Sequence, residues 1–240
     1  MAKYHPDTRF ITDFAAGSLP LSQALCVSAH LHYCAECKQK VAQLTDLGST
    51  LFDELQPIQM RQDFSSLMTR INSLPEEDSL PNLPGRTERA EKVERVERTE
   101  KNPGKPAAQS LPAALRKITN NDLESLSWRS IGKNFRFSEL STGDSQRETS
   151  LFTIKAGGNV PRHRHKGDEI TVVLKGSFSD QDDHYEAGDF IVRTKGETHT
   201  PVASQDDDCL CLYTLDAPIQ MTNWFYRLLV PLLRNTRQAA

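Results

Sequence analysis

The sequence predicts a multidomain α + β protein, in which a small helical domain is followed by a domain built from β-strands. Apolar residues recur at three- and four-residue spacing up to about residue 73, which is typical of helices with one buried face. From about residue 122, short segments rich in β-branched and aromatic residues alternate with Gly, Asp and Asn. Between these two regions lies a stretch of mixed charge that has almost nothing to bury.

These changes of composition divide the 240 residues into three regions. Residues 1–73 are predicted to form the helical domain, residues 74–109 an interdomain linker, and residues 110–240 the β domain. The chain is long enough for two domains, because one domain takes roughly 100 to 150 residues. The middle region has prolines at both ends and Glu and Arg between them, which marks a solvated linker more often than a partner-binding helix.

Composition and charge exclude several classes of protein. The chain has 29 basic and 32 acidic residues, a balance that argues against a chain-wide surface for nucleic acid. It contains no run of about 18 apolar residues that could span a membrane, and its N-terminus lacks the apolar core of a signal peptide. We therefore expect a cytoplasmic protein. In that reducing compartment, five cysteines suit metal binding or redox chemistry better than structural disulfides.

Four helices are predicted in the N-terminal region. The first covers residues 8–16 and ends at Gly17, and the second runs from about residue 22 to residue 32. The apolar residues of the third helix predict one buried face, formed by Val41, Leu44, Leu47, Leu51 and Leu55. The fourth helix places on one face Phe64, Leu67, Met68 and Ile71.

The β domain is predicted to be a sandwich or a barrel, because its strands follow one another without an intervening amphipathic helix. The segments that predict strands are FRFSEL, SLFTIKA, EITVVLKGSF, DFIVRT and CLCLYTL. The chain ends in a segment that suits a short helix packed on the core or on the other domain. Its apolar residues are Trp224, Phe225, Leu228, Leu229 and Leu232.

The stretch HLHYCAEC, residues 30–37, holds four candidate metal ligands. At about 100° per residue, His30, Cys34 and Cys37 fall within about 60° of one another on a helix, whereas His32 lies on the opposite side. A straight helix would separate positions 30 and 37 by about 10 Å, which is long for one shared ion. We therefore expect a break between residues 30 and 34, with the cysteines opening the next helix.

Three ligands leave a structural zinc site one short, because four ligands close such a site. Cys26 shares the face but would lie about 16 Å from Cys37 along a continuous helix. His5 precedes the first helix and is free to fold back over the site. Water would complete the set only in a catalytic site. The plain alternative is a group of buried thiols and surface histidines without a metal.

A helical domain with an N-terminal histidine and then His-x3-Cys-x2-Cys resembles the zinc-binding anti-sigma domain. The resemblance covers about residues 1–73. It implies that one structural Zn²⁺ is held by His5, His30, Cys34 and Cys37. It also implies that the helices clamp a group IV (extracytoplasmic function, ECF) sigma factor. Apolar residues that would then belong to the sigma interface rather than to a core include Phe10, Phe14 and Phe64.

A second set of candidate ligands lies in GGNVPRHRHKGDEITVVLKG, residues 157–176. His163 and His165 are two residues apart, so they project to the same face of a strand. Glu169 follows across a turn, and a later stretch, GDFIVRTKGETH, adds His199. Three histidines and a carboxylate suit Zn, Fe, Mn or Ni, and the ligands alone do not choose among these metals.

These two stretches resemble the paired motifs of the cupin superfamily, in which three histidines and a glutamate bind one metal inside a small β-barrel. The first motif, Gly-x5-His-x-His-x3-Glu-x6-Gly, matches at every fixed position. The second has Thr194 where proline is usual and Ala203 where asparagine is usual. The resemblance implies a cupin barrel with one divalent metal, expected to be Zn²⁺, held by His163, His165, Glu169 and His199. The alternative is a cupin barrel that has lost its metal.

Cys209 and Cys211 alternate along CLCLYTL and therefore face the same side of a strand. One interpretation makes them two small core residues. The other makes them a thiol pair near the metal that helps to report oxidants. The sequence does not show whether they point toward the metal.

The order of the two domains resembles that of the ChrR-type anti-sigma factors. The resemblance implies a cytoplasmic repressor without catalytic residues, which forms a heterodimer with a group IV (ECF) sigma factor and sequesters it. Oxidative stress such as singlet oxygen would release the sigma factor, with inhibition by the N-terminal domain and sensing by the cupin domain. One alternative is a metal-dependent cupin enzyme, such as a dioxygenase or isomerase, with an accessory zinc domain. The other is a DNA-binding protein, which no concentrated basic face supports.

Overall fold

The computed structural model of the chain describes residues 2–55, 64–73 and 111–222. In that part of the chain, the N-terminal residues up to 52 and all residues from 111 onward form one compact unit, and the remaining residues belong to a second. The predicted linker, 74–109, and the predicted C-terminal helix around Trp224 lie outside the described residues. The predicted domain boundaries therefore stay a prediction.

The first two helices begin and end close to the predicted residues. Helix α1 spans Thr8–Ala15 and helix α2 spans Leu21–Tyr33. The side chain of Asp7 caps α1, because it accepts a hydrogen bond from the backbone N–H of Phe10 at 3.0 Å. Gly17 follows the end of α1 with a φ of 69°, the left-handed conformation that commonly stops a helix.

A break at Cys34 separates α2 from the third helix. Cys34 has φ −111° and ψ 104° and stands between α2 and helix α3, which spans Ala35–Asp53. The cysteines therefore open α3, as the sequence predicts. Helix α4 spans Phe64–Asn72. None of the helices in the described ranges is long and apolar enough to cross a membrane.

The prediction of one buried face along α3 is wrong for its C-terminal half. Val41 and Leu44 pack against the core, whereas Leu47, Leu51 and Leu55 are 56%, 57% and 65% exposed. Periodicity shows that a helix face is apolar, but it does not show which element covers it. The apolar residues of α4 are exposed as well, namely Phe64, Leu67, Met68 and Ile71.

The β domain begins with helix α5, Ala113–Ile118, and continues as short antiparallel strands. The strands are β1 (Arg129–Ile131), β2 (Phe135–Glu139), β3 (Glu148–Ile154), β4 (His163–Arg164), β5 (Glu169–Lys175), β6 (Ser177–Ser179), β7 (His184–Glu186), β8 (Phe190–Arg193), β9 (Thr198–His199), β10 (Val202–Ala203), β11 (Cys209–Leu215) and β12 (Gln220–Met221). The largest sheet has the order β1-β2-β3-β11-β5-β8. The two smaller sheets have the orders β10-β6-β7 and β12-β4-β9.

Alternate residues of β5 face two different cores. Val172 and Leu174 belong to a cluster that also contains Leu25 and Val27 of α2. Val173 belongs to the cluster inside the barrel. Because side chains alternate along a strand, α2 packs on the outer face of the large sheet and leaves the barrel interior to the second cluster.

Gly176 forms the turn between β5 and β6 with a φ of 69°, and a Cβ there would lie 2.5 Å from the carbonyl oxygen of Asp208. We expect Gly176→Ala to lower the free energy of unfolding by roughly 2–3 kcal/mol, because backbone strain and a steric clash add. Gly143 has a similar φ of 75° and open space around it. Gly143→Ala should therefore cost only about 1 kcal/mol. Thermal and urea unfolding compare the two, and equal losses would contradict the steric contribution.

Two candidate metal centres

The N-terminal centre consists of four side chains from three segments of the chain. His5 precedes α1, His30 lies in the last turn of α2, Cys34 lies between the helices, and Cys37 lies in the first turn of α3. One ligand atom from each residue lies within 4.8 Å of the other three. The structure thus brings together the four side chains that the anti-sigma resemblance names.

The spacing of these atoms fits one tetrahedral ion. Nδ1 of His5 lies 3.4 Å from Nε2 of His30. The same nitrogen lies 3.4 Å from Sγ of Cys34 and 3.5 Å from Sγ of Cys37. Tetrahedral bonds of about 2.0–2.3 Å would separate neighbouring ligand atoms by about 3.3–3.8 Å. Two thiols and two imidazoles are also a donor set of structural zinc sites, so these residues fit Zn²⁺.

Backbone groups orient two of the four ligands. Nδ1 of His30 donates a hydrogen bond to the carbonyl oxygen of Gly188 at 2.6 Å, which leaves Nε2 free to face the other ligands. The backbone N–H of Cys37 donates to the sulfur of Cys34 at 3.4 Å. Cys34 therefore sits at the N-terminus of α3, where the helix dipole favours a thiolate.

Burial shifts the pKa values of His30 and Cys37 in opposite directions. Burial lowers the pKa of His30, which favours the neutral imidazole that binds metals. Burial, followed by the neighbouring Cys34, raises the pKa of Cys37 to about 11. Two thiolates at this spacing need a cation between them, and a divalent metal supplies that charge.

The other two candidates from this region lie elsewhere. His32 is exposed, and its ring centroid lies 4.9 Å from that of Tyr33. Cys26 is fully buried in the core, where burial raises its pKa to about 12. Neither residue belongs to the group of four, so His5 rather than Cys26 is the fourth member.

The second centre lies inside the barrel, where three histidine rings meet. His163 on β4 pairs with His199 on β9, and their Nε2 atoms are 2.9 Å apart. Nε2 of His165 lies 3.1 Å from Nε2 of His199. Metal–nitrogen bonds of about 2.0–2.1 Å would separate adjacent ligand atoms by about 2.9–3.4 Å, so the three rings fit one ion.

Outer contacts hold two of these rings. Nδ1 of His163 donates to the carbonyl oxygen of Pro161 at 3.0 Å, and Nδ1 of His199 donates to Oδ2 of Asp180 at 2.9 Å. Burial, followed by the charge of His199, lowers the pKa of His163 to about 4. Burial also lowers the pKa of His165. The lowered pKa values favour neutral imidazoles at His163 and His165, and the outer hydrogen bonds of His163 and His199 turn Nε2 of both rings inward, as metal binding requires.

Glu169 lies beside the three rings but is not among the atoms that come within 4.8 Å of one another. Its Oε2 lies 3.8 Å from Nδ1 of His165, and its Oε1 accepts a hydrogen bond from the hydroxyl of Thr171 at 2.9 Å. Nδ1 of His165 is buried and has no hydrogen-bond partner among the described residues. The role of Glu169 as a fourth ligand therefore stays a prediction.

Comparisons with known proteins place the chain in one family. Residues 119–217 match the family model of the ChrR cupin-like domain. The chain is also 31% identical over 232 residues to the anti-sigma-E factor ChrR of Cereibacter sphaeroides, a match that covers 97% of this chain and 98% of that protein. This chain belongs to the ChrR family of anti-sigma factors.

A solved structure of the same family covers most of the chain. It is the crystal structure of Rhodobacter sphaeroides SigE in complex with the anti-sigma ChrR, with 28% identity and a TM-score of 0.67. The match covers 90% of this chain and 99% of that chain. The predicted fold class, N-terminal helices with a His/Cys cluster followed by a cupin barrel, is confirmed.

The barrel of this ChrR-family chain encloses a cavity of about 470 Å³ beside the three rings. His163, His199, Glu169 and Arg193 line its polar side. A cavity of this volume falls in the range of small-molecule sites. The apolar walls include Phe135, Phe137, Phe152, Phe178, Ile191 and Met221.

The cysteine pair of this ChrR-family chain lies within the barrel core. Cys209 and Cys211 are both fully buried on β11, and their sulfurs are 3.6 Å apart. Burial, followed by the hydrogen bond with Cys209, raises the pKa of Cys211 well above its ordinary value. Burial of both thiols, and the raised pKa of Cys211, favour the interpretation as core residues.

Sequence reasoning missed the residues that support the rings from outside. Asp180 and Arg193 form an ion pair at 2.6 Å, and Asp180 also contacts His199. Gly188 supplies a carbonyl to the N-terminal centre. The stretch SDQDDHYEAGD has the composition of a surface loop. Its many carboxylates are the only local feature that could indicate contacts with the rings. Its histidine, His184, is exposed and lies on β7.

Proposed function

We propose that this chain forms a heterodimer with a group IV (ECF) sigma factor and holds that factor away from RNA polymerase. The solved relative contains SigE bound to ChrR, which supports the proposal. The observation that carries it is the exposed apolar surface of α3, where Leu47, Leu51 and Phe52 are 56%, 57% and 73% exposed. Apolar side chains that remain uncovered one helical turn apart are typical of a protein interface.

The N-terminal centre would hold one Zn²⁺, which supplies a cross-link. Three segments meet there, namely the N-terminus through His5, α2 through His30, and α3 through Cys34 and Cys37. A cross-link of this kind stabilises the arrangement of the segments it joins. The ligands would thereby orient the exposed surface of α3 toward the partner.

The barrel centre is proposed to sense oxidants such as singlet oxygen and to trigger release of the sigma factor in the cytoplasm. The three histidine rings would hold one divalent metal, with Zn²⁺ as the expected ion. The cavity beside the rings supports this role, because it places space for a small molecule next to the ligands. Inhibition would then belong to residues 1–73 and sensing to residues 110–240, without catalysis.

Co-expression with the sigma factor encoded beside this chain tests the proposal. We expect an equimolar complex that co-purifies and a loss of transcription from the promoter of that sigma factor. A chain of residues 1–75 should bind the sigma factor as well, but it should not release it under singlet oxygen. A full-length chain that neither binds nor represses its sigma factor would refute the proposal.

Leu51→Glu is expected to weaken sigma binding by roughly 10- to 100-fold, because a charge would replace an apolar side chain within the proposed interface. Val202→Glu is the control, since Val202 is 39% exposed on β10 of the barrel and the change likewise replaces an apolar side chain with a carboxylate. Titration calorimetry measures both affinities. Similar losses in the two variants would argue against an interface on α3.

A metal-dependent enzyme is the second candidate, and the cavity of about 470 Å³ beside the three rings favours it. A dioxygenase or isomerase would use such a cavity for its substrate. Turnover of a small molecule by the chain loaded with iron or manganese would support this alternative. The absence of turnover with either metal would count against the enzyme.

A further inference from the structure

A short turn between β6 and β7 contacts one histidine of the barrel centre and the segment that carries His5 of the N-terminal centre. The turn, residues 180–183, is closed by a hydrogen bond from the backbone N–H of Asp180 to the carbonyl oxygen of Asp183 at 3.0 Å. Oδ1 of Asp180 accepts the backbone N–H groups of Asp182 and Asp183 at 3.0 Å and 3.3 Å. Aspartate side chains stabilise turns in this way, and the three bonds make the turn one unit.

The first end of the turn holds a ring of the barrel centre. Oδ2 of Asp180 accepts hydrogen bonds from Nδ1 of His199 at 2.9 Å and from Nη2 of Arg193 at 2.6 Å, and its side chain is fully buried. Although burial opposes ionisation, the hydrogen bond from His199 lowers the pKa of Asp180 to about 2. A carboxylate on the outer nitrogen of a metal-binding histidine fixes the orientation of its ring.

The second end of the turn holds the segment that carries His5. Oδ2 of Asp183 accepts hydrogen bonds from Nζ of Lys3 at 2.7 Å and from the hydroxyl of Tyr4. The backbone of the same segment is tied to the barrel, because the N–H of Phe190 donates to the carbonyl oxygen of Tyr4 at 3.0 Å. His5 is the next residue, so these contacts hold the chain immediately before it.

The residues after the turn hold the other histidine of the N-terminal centre. Gly188 follows β7, and its carbonyl oxygen accepts the hydrogen bond from Nδ1 of His30. Its φ is 100°, and a Cβ at this position would lie 2.7 Å from Cβ of Tyr33. The close approach of α2 therefore requires glycine. Both histidines of the N-terminal centre thus depend on one stretch of the barrel, residues 180–190.

We propose that the turn of residues 180–183 couples the two centres, so that occupancy of the barrel centre changes how tightly the N-terminal centre holds its ion. This inference rests on the proposed function, in which both centres bind a metal. His199 keeps one orientation while its Nε2 binds an ion, and Asp180 stays with it. When that nitrogen is free, the ring and Asp180 reorient together, and Asp183 displaces the segment that carries His5. The coupling is reciprocal by linkage.

The apolar packing of α2 on the large sheet is a poorer route between the centres. Leu25 and Val27 pack in the cluster that contains Val172, on the outer face of β5. Contacts of this kind are non-directional. The hydrogen bonds of the turn, in contrast, are lost within small changes of distance and angle, and they reach a ring of the barrel centre directly.

The full-length chain loaded with Co²⁺ tests the coupling. Cobalt bound to thiolates absorbs in the near ultraviolet through sulfur-to-metal charge transfer, so this band reports the N-terminal centre alone. The rate at which a chelator removes the band is compared between the wild-type chain and His163→Ala, which disables the barrel centre and leaves the contact between Asp180 and His199. We expect the two rates to differ by at least about fivefold, because outer partners of metal-binding histidines change affinity by about 10- to 100-fold.

Variants of the turn and of the N-terminal segment separate the proposed route from others. Asp183→Asn should abolish the rate difference between the wild-type and His163→Ala backgrounds. Tyr4→Phe, which removes one hydroxyl and no charge, should also reduce this rate difference. It tests the route even if Asp183→Asn folds poorly. Glu186→Gln is the matched control, because this carboxylate on β7 is 70% exposed and pairs with His184. It should leave the difference unchanged.

The possible results are distinguishable from failure of the proposed function. A rate difference that persists in both Asp183→Asn and Tyr4→Phe overturns the route through the turn. Equal rates in a wild-type chain that binds two cobalt ions and a His163→Ala chain that binds one overturn the coupling alone. A wild-type chain that binds a single cobalt ion overturns the proposed barrel metal and the coupling with it.

Discussion

Cys34→Ser is expected to remove the metal of the N-terminal centre and, with it, at least about a hundredfold of the affinity for the sigma factor. Sγ of Cys34 lies 3.4 Å from Nδ1 of His5 and accepts the backbone N–H of Cys37. It therefore caps the N-terminus of α3 and, in the proposed function, also binds the metal. A serine hydroxyl keeps the cap but stays protonated near neutral pH, so it does not replace a thiolate on zinc.

The effect should be concentrated in α3. Helices α1 and α2 pack on the outer face of the large sheet, in a cluster where Ile11, Leu25 and Val27 are buried. The C-terminal half of α3 has exposed apolar residues instead, and its first turn is attached through the centre. Structural zinc contributes about 10–16 kcal/mol of apparent binding free energy in small domains, and its loss would leave α3 without a fixed direction. Hydrogen exchange should show loss of protection in α3 first.

Metal analysis and titration calorimetry with the sigma factor measure both consequences of Cys34→Ser. His32→Ala is the matched control, because His32 lies in the same segment, is exposed and does not belong to the group of four. This control should keep both the metal and the affinity. Zinc retained by the Cys34→Ser chain, or affinity lost by the control, would contradict the assignment of ligands.

The four ligands of this centre differ in how far local sequence predicts them. His30, Cys34 and Cys37 share a helix face, which follows from 3.6 residues per turn. His5 lies 25 residues before His30, and Asp183 of the barrel contacts Lys3 and Tyr4 just before it. No periodicity relates those positions, because the contact is made by tertiary structure. The family resemblance predicts His5 as the fourth member, and the structure places it beside the other three residues.

For the exposed half of α3, the sequence predicts the apolar face but not what covers it. The spacing of Leu47, Leu51 and Leu55 predicts an apolar face correctly and its burial wrongly, because periodicity does not reveal whether the covering surface belongs to the same chain. The role of Asp180 could not be predicted from the sequence. A carboxylate in a run of acidic residues is usually exposed to solvent, and only the folded barrel places this one beside His199 and Arg193.

The barrel centre should carry the response to oxidants, and His165→Ala isolates that response. His165 is almost fully buried and supplies one of the three converging nitrogens. Its outer nitrogen has no hydrogen-bond partner among the described residues, so the substitution removes a ligand without breaking a network. A site with two of its three rings does not hold the metal ion, and an oxidant cannot release an ion that is not bound.

We therefore expect singlet oxygen to raise the rate of sigma release from the wild-type chain by at least about tenfold, and to leave the rate from His165→Ala nearly unchanged. The ratio of release rates with and without illumination of a photosensitiser measures this, whatever the rate in the dark. His184→Ala is the matched control, because His184 is exposed on β7 and lies outside the three rings. A His165→Ala chain that responds like the wild type would place the sensor elsewhere in the chain, because the barrel centre would then be dispensable.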